Sequence, residues 1–209
     1  MMQLHVLQHT DWMTPGLIQD WATAHDIELV IHRPDSGENL TPLNANDIDG
    51  LIILDGPFNI DDNERWVAAE RILVRSLDKI GRPVFGISFG AEQIARAFGA
   101  PVVPMNLPEF GRGEVNRADG SSLAVFQWHQ QAIVDLPGAT VAYSNEAVAM
   151  QGFTYHHRIM GVQFHLECTR AIQQAYVDAS DFNILPLLTD DEQAAAQQEL
   201  NKLLGEVFL

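Results

Sequence analysis

Cysteine is nearly absent from these 209 residues: Cys168 stands alone. An internal disulfide is therefore excluded, and so are zinc sites that need four thiolates. Positive charge is also scarce, with 12 lysines and arginines against 28 aspartates and glutamates and a formal net charge of −16. A surface of that sign repels nucleic acid and anionic membrane, so neither is expected as a partner. The acidity serves solubility on the plainer reading and a basic partner chain on the sharper one. No apolar run approaches the roughly 20 residues of a membrane span. No basic segment followed by an apolar stretch opens the chain, so no signal peptide is expected, and the expected location is cytoplasmic. His5, His9, His25 and His32 lack metal-ligand spacing, and His156-His157 beside Arg158 reads as a solvated turn. No metal and no cofactor is expected.

What is present suits one ordinary α/β domain spanning residues 1–209, with 46% hydrophobic and 19% charged residues. Short apolar runs at 4–8, 27–31, 51–54 and 84–87 read as strands, and periodic segments over 17–22, 64–77 and 91–98 as helices. Trp66, Val67, Ile72, Leu73 and Leu77 are assigned to the inner face of the second helix. Residues 101–127, rich in Pro and Gly, read as irregular. Shorter strands are expected at 132–134, 140–143, 148–150 and 160–164, and a last helix over 190–204. Strands alternating with helices in the first hundred residues imply a parallel sheet covered on both faces.

The most informative stretch is Pro83-Val84-Phe85-Gly86-Ile87-Ser88-Phe89-Gly90. An apolar strand ends in Gly-x-Ser-x-Gly and a helical pattern follows, the build of a nucleophile elbow. Far downstream lies Gly161-Val162-Gln163-Phe164-His165-Leu166-Glu167. On an extended segment residues two apart point the same way, so His165 and Glu167 share a face. Nucleophile, base and orienting carboxylate are present as Ser88, His165 and Glu167. Cys168 lies outside the elbow and reads as a small packing residue.

Together these segments resemble the class I glutamine amidotransferase family, whose elbow reads Gly-x-Cys-x-Gly-x-Gln and whose second motif reads Gly-Val-Gln-Phe-His-Pro-Glu. Leu54-Asp55-Gly56-Pro57 is similar to its Gly-Gly-Pro loop, with Asp55 in place of the first glycine. Glu109-Phe110-Gly111 and Phe126-Gln127-Trp128-His129 resemble segments of the branch that includes the glutaminase domain of GMP synthetase. The resemblance implies a flavodoxin-like, doubly wound, mostly parallel sheet with the site at the strand carboxyl ends. It also implies hydrolysis of the side-chain amide of glutamine or a γ-glutamyl compound. His165 would be the base and Glu167 its orienter. The amides of Gly56 and Phe89 would form the oxyanion hole, and Glu92, Gln93, Trp128 and His129 would lie at the substrate. A working amidotransferase of this length would need a separate synthetase chain as its partner.

Departures from the pattern bear on function. Ser88 replaces the family's cysteine, and a hydroxyl is far harder to activate than a thiol. Glu92 stands where the family has glutamine, with Gln93 displaced by one, and Asp55 adds an acid near the expected oxyanion. Three explanations stand for Ser88. It is an engineered Cys-to-Ser change, or a natural site that binds a ligand or partner without hydrolysis, or a working serine hydrolase of the kind that resembles peptidase E.

Overall fold

Alternation along the first strand decides which side of the sheet each residue faces. In β1 (Gln3–Leu7) Leu4 and Val6 enter one apolar cluster and Leu7 enters the other. The same division runs through β3 (Gly50–Ile53) and β4 (Val84–Ile87), every residue of which is buried. Burial on both faces explains their unbroken apolar runs. The computed structural model describes residues 1–62, 64–181 and 186–209.

Among the described residues nine strands form one sheet in the order β2-β1-β3-β4-β9-β8-β7-β5-β6. β2 is Glu28–His32, β5 Val102–Arg117, β6 Ser122–Ile133, β7 Thr140–Ser144, β8 Gly152–Tyr155 and β9 Ile159–Val162. The half from β2 to β9 is parallel. The half from β9 to β6 is antiparallel. Helix α1 (Leu17–Ala24) and helix α5 (Asp190–Phe208) pack on one face. Helices α2 (Arg65–Lys79) and α3 (Phe89–Ala97) pack on the other. A further helix, α4 (Arg170–Asp178), follows the second motif. Among the described residues no helix is long and apolar enough to cross a membrane.

The structure corrects several expectations. The sheet is mixed rather than mostly parallel, because residues 102–133 form a long hairpin where the sequence reads as irregular. The prolines mislead here. Pro104 and Pro108 lie at a register shift between Pro104 and Glu109, where β5 is paired with β6 alone, and such positions tolerate proline. The segment 148–150 is not a strand; pairing begins at Gly152. The strand assigned to 160–164 ends at Val162, so His165 lies just beyond it. Ile72 faces solvent, and the buried stripe of α2 is Val67, Glu70, Leu73, Val74 and Leu77. Helix α4 has no counterpart among the expected elements.

Candidate active site

Ser88 occupies the turn between β4 and α3 with φ 53° and ψ −115°. A side chain rarely adopts positive φ, and such a position costs about 1–3 kcal/mol. Its amide donates to the Val162 carbonyl at 2.8 Å, which ties the elbow to β9. The flanking glycines are sterically required. A Cβ on Gly86 would lie 2.6 Å from the Gly90 backbone, and one on Gly90 would lie 2.0 Å from the Ile53 carbonyl oxygen. Strand β4 and helix α3 can therefore close against β3 only without side chains at 86 and 90.

His165 is held by the hairpin. Its amide donates to the Phe126 carbonyl at 2.8 Å across an isolated bridge. Its Nδ1 lies 2.7 Å from Glu167 Oε1, and both side chains are buried. Burial pulls the imidazole pKa down, but the charge and hydrogen bond of Glu167, with Asp55 adding to them, lift it above its ordinary value. Neither His165 Nε2 nor Glu167 Oε2 has a hydrogen-bond partner among the described residues. Cys168 donates its thiol to Glu167 Oε1 at 3.4 Å, and burial followed by Glu167 pushes its pKa well up. His165, Glu167 and Cys168 hold potential ligand atoms within 4.8 Å of one another. Glu167 Oε1 thus lies within hydrogen-bonding distance of both the His165 imidazole and the Cys168 thiol.

Asp55 reaches into the centre of this arrangement from the loop after β3. Its Oδ1 accepts from the Phe89 amide at 3.2 Å and its Oδ2 from the Tyr176 hydroxyl at 2.8 Å. The same Oδ2 is 3.7 Å from His165 Nε2. The backbone donor assigned to the oxyanion hole is thus engaged by a carboxylate. Burial first and Asp55 second push the Tyr176 hydroxyl well above its ordinary pKa, so it stays a donor. Burial first and Asp55 second also push Glu92 up to about 8.

The loop that carries Asp55 is anchored from behind. His9 Nδ1 lies 3.1 Å from the Asp55 carbonyl oxygen, and His9 Nε2 lies 2.8 Å from Glu70 Oε1. Gln93 donates to Glu70 Oε2 at 2.6 Å and accepts from Arg71. Gln93 is therefore directed away from the pocket over the elbow, whose lining does not include it. It points from α3 toward α2, one residue round the helix from Glu92, and braces the buried His9–Glu70 pair. Burial lowers the His9 pKa, but Glu70 and then Asp55 raise it overall.

A pocket of about 280 Å³ opens over the elbow. Ser88, Phe89, Gly56 and Glu92 line it beside Trp12, Phe110, Trp128, His129 and Tyr176. The assigned residues Trp128 and His129 thus reach it from β6. His129 offers no free ring nitrogen, since Nδ1 is 2.9 Å from the Gln131 carbonyl and Nε2 is 3.1 Å from Gln127 Oε1 and 3.2 Å from Glu109 Oε2. Glu109 is in turn held by Asn145 and Gln151; burial pushes its pKa up, but His129 and these amides bring it below the ordinary value. Among the described residues Ser88 Oγ makes no hydrogen bond, so the elbow hydroxyl and His165 are not paired in this conformation.

Sequence reasoning missed His9, Glu70, Tyr176 and Trp12. Glu70 left a signal, an acid on the apolar stripe between Val67 and Leu73. Tyr176 left none, because it meets Asp55 across 121 positions of sequence.

Comparison with known proteins shows the family and the fold. The family model described as glutamine amidotransferase class-I matches residues 16–181. A glutamine-hydrolysing GMP synthase subunit of Thermoplasma acidophilum is 32% identical over 152 residues, 68% of this chain and 72% of that protein. A glutamine amidotransferase-like protein of Salmonella typhimurium is 29% identical over 188 residues, 80% of this chain and 77% of that protein. A crystal structure of a glutamine amidotransferase from Thermotoga maritima superposes with a TM-score of 0.87 at 23% identity, over 99% of this chain and 98% of that one.

Proposed function

This chain belongs to the class I glutamine amidotransferase family, and from that premise we propose that it is a binding or regulatory member whose hydrolytic step is disabled. One observation carries the reading: Asp55 Oδ1 sits on the Phe89 amide at 3.2 Å. Attack on an amide carbonyl builds negative charge on its oxygen, and that charge needs preorganised donors. Here the donor already serves a carboxylate, that of Asp55. Repulsion between an oxyanion and a neighbouring carboxylate opposes the step whichever nucleophile attacks. Ser88 compounds the loss, since a hydroxyl placed where relatives use a thiol is weakly nucleophilic. The chain acts as one domain, and a separate synthetase-type subunit is the partner such a role calls for.

The His165–Glu167 pair at 2.7 Å favours a second reading, a serine hydrolase with Ser88 as nucleophile. Glutamate release from glutamine and small γ-glutamyl amides separates the two. The binding reading expects no turnover by the chain as it stands and none by Ser88→Cys alone. It expects glutaminase activity in Ser88→Cys/Asp55→Gly, with the Phe89 amide released. Turnover by the unaltered chain that Ser88→Ala abolishes would establish the hydrolase instead.

A further inference from the structure

Among the described residues the pocket's lining combines two carboxyl groups with aromatic side chains and contains no lysine or arginine. A free glutamine carries an α-carboxylate, for which this lining offers no counter-charge. A cation meets the opposite situation. Asp55 uses one lone pair of Oδ1 for the Phe89 amide and one of Oδ2 for the Tyr176 hydroxyl. A carboxylate has about four such sites, so half of its accepting capacity remains. Glu92 is 4% exposed and lines the pocket, yet its side chain has one hydrogen-bond contact among the described residues, from Gln163 to Oε1 at 3.5 Å. Its Oε2 accepts none among those residues, which leaves it available to a donor that enters the pocket. The rings of Trp12 and Trp128, which line the same pocket, pack against Tyr176 with centroids 4.8 and 5.1 Å from its own. Trp12 and Trp128 are both partly exposed. Aromatic side chains and acidic groups in one lining are the combination that attracts organic cations.

We propose that this pocket binds a small organic ammonium ion, with its nitrogen between Asp55 and Glu92 and its carbon chain against Trp12 and Trp128. The inference rests on the binding reading of the site and names the class of ligand that the site takes. Among the described residues, Asp55 from the loop after β3 acts electrostatically on Glu92 and Gln163 from beyond β9 contacts its side chain; neither is a cation. Burial and Asp55 keep its carboxyl protonated up to about pH 8. A bound ammonium reverses that preference, so binding releases a proton when the pH is below 8.

The test is titration calorimetry and tryptophan fluorescence on the intact chain with n-butylammonium, n-butanol as its uncharged counterpart, and glutamine. The expected result is saturable binding of butylammonium at pH 7, with butanol and glutamine at least tenfold weaker. Proton release should show as a buffer-dependent heat. Glu92→Gln, which matches the original side chain in size, should abolish the proton release and weaken binding about tenfold. Asp55→Asn should weaken it further. Absence of saturation by butylammonium, equal binding of butanol, or unchanged affinity in a folded Glu92→Gln overturns the proposal. Glutamate release is read in the same samples. Turnover there defeats the binding reading whatever the cation titration gives, while silence with no cation binding defeats this inference alone.

Discussion

Asp55 and Phe89 meet at 3.2 Å, a side-chain carboxylate on the backbone amide that follows the elbow serine. This bond joins the loop after β3 to the start of α3, at the amide that the proposed reading assigns to a reacting carbonyl oxygen. Its acceptor also touches Tyr176 and approaches His165, so one acid coordinates three elements of the site.

A thiol placed at the elbow reports on that acid. In Ser88→Cys a neighbouring carboxylate disfavours the thiolate and raises its pKa by about 1 or more. Alkylation by iodoacetamide at pH 7 should be roughly tenfold slower than in Ser88→Cys/Asp55→Gly. Cys168, buried and with its pKa pushed well up, should stay unmodified in both. Equal rates in the two variants would contradict the assigned influence of Asp55.

The elbow glycines should tolerate nothing larger. Gly90→Ala would bring a methyl to 2.0 Å from the Ile53 carbonyl oxygen, whereas Gly99→Ala meets open space at φ 85°. Denaturant unfolding should show a loss of about 3 kcal/mol or more for the first. The second should lose about 1–2 kcal/mol, the cost of a left-handed backbone conformation.

Glu92 makes stability fall as pH rises. Its carboxyl titrates near 4.5 when unfolded and about 8 when folded, so the native state holds the extra proton between those values. The stabilisation is complete below pH 4.5 and lost as pH climbs through 8. Glu92→Gln should therefore match the parent near pH 4.5 and exceed it at pH 9 by a few kcal/mol, since a tenfold change in a proton equilibrium is worth about 1.4 kcal/mol. A parallel pair of stability curves would contradict the burial of this acid.

His9 and Glu70 should be unequal to lose. His9→Ala leaves Glu70 buried with Gln93 as its remaining side-chain donor, and such breakage of a buried pair costs about 3–5 kcal/mol. Because the folded pKa of His9 is raised, its contribution is full below about pH 6.5, the unfolded value, and fades as pH rises through the folded one. Chemical denaturation between pH 6 and 9 should show that slope in the parent and less of it in His9→Ala.

The two motifs were legible because each is a short contiguous string whose local geometry does the positioning. Gly86, Ser88 and Gly90 announce a turn by steric need alone, and His165 and Glu167 share a face by spacing alone. The parallel half of the sheet was legible for a similar reason, since its buried strands are unbroken apolar runs. The antiparallel half was not. Its hairpin carries Pro104, Pro108, Gly111 and Gly113, residues that discourage a strand assignment; the prolines lie at a register shift, and the glycines are paired opposite Gln127 and Val125. Gln93 was misplaced because adjacent positions on a helix point in different directions, one to the pocket and the next to Glu70. The His9–Glu70 pair, 61 residues apart, depends on where β1 and α2 meet, which no local pattern encodes.

The bridge from Phe126 to His165 places one further demand on the long hairpin. Strand β6 supplies the carbonyl that fixes His165 and, two residues on, the indole that walls the pocket. A slip of β6 by one residue against β5 would turn Trp128 to the opposite face and present a different carbonyl to His165. The register of a distant hairpin and the aim of the imidazole are thus a single degree of freedom, and selection on either one acts on both.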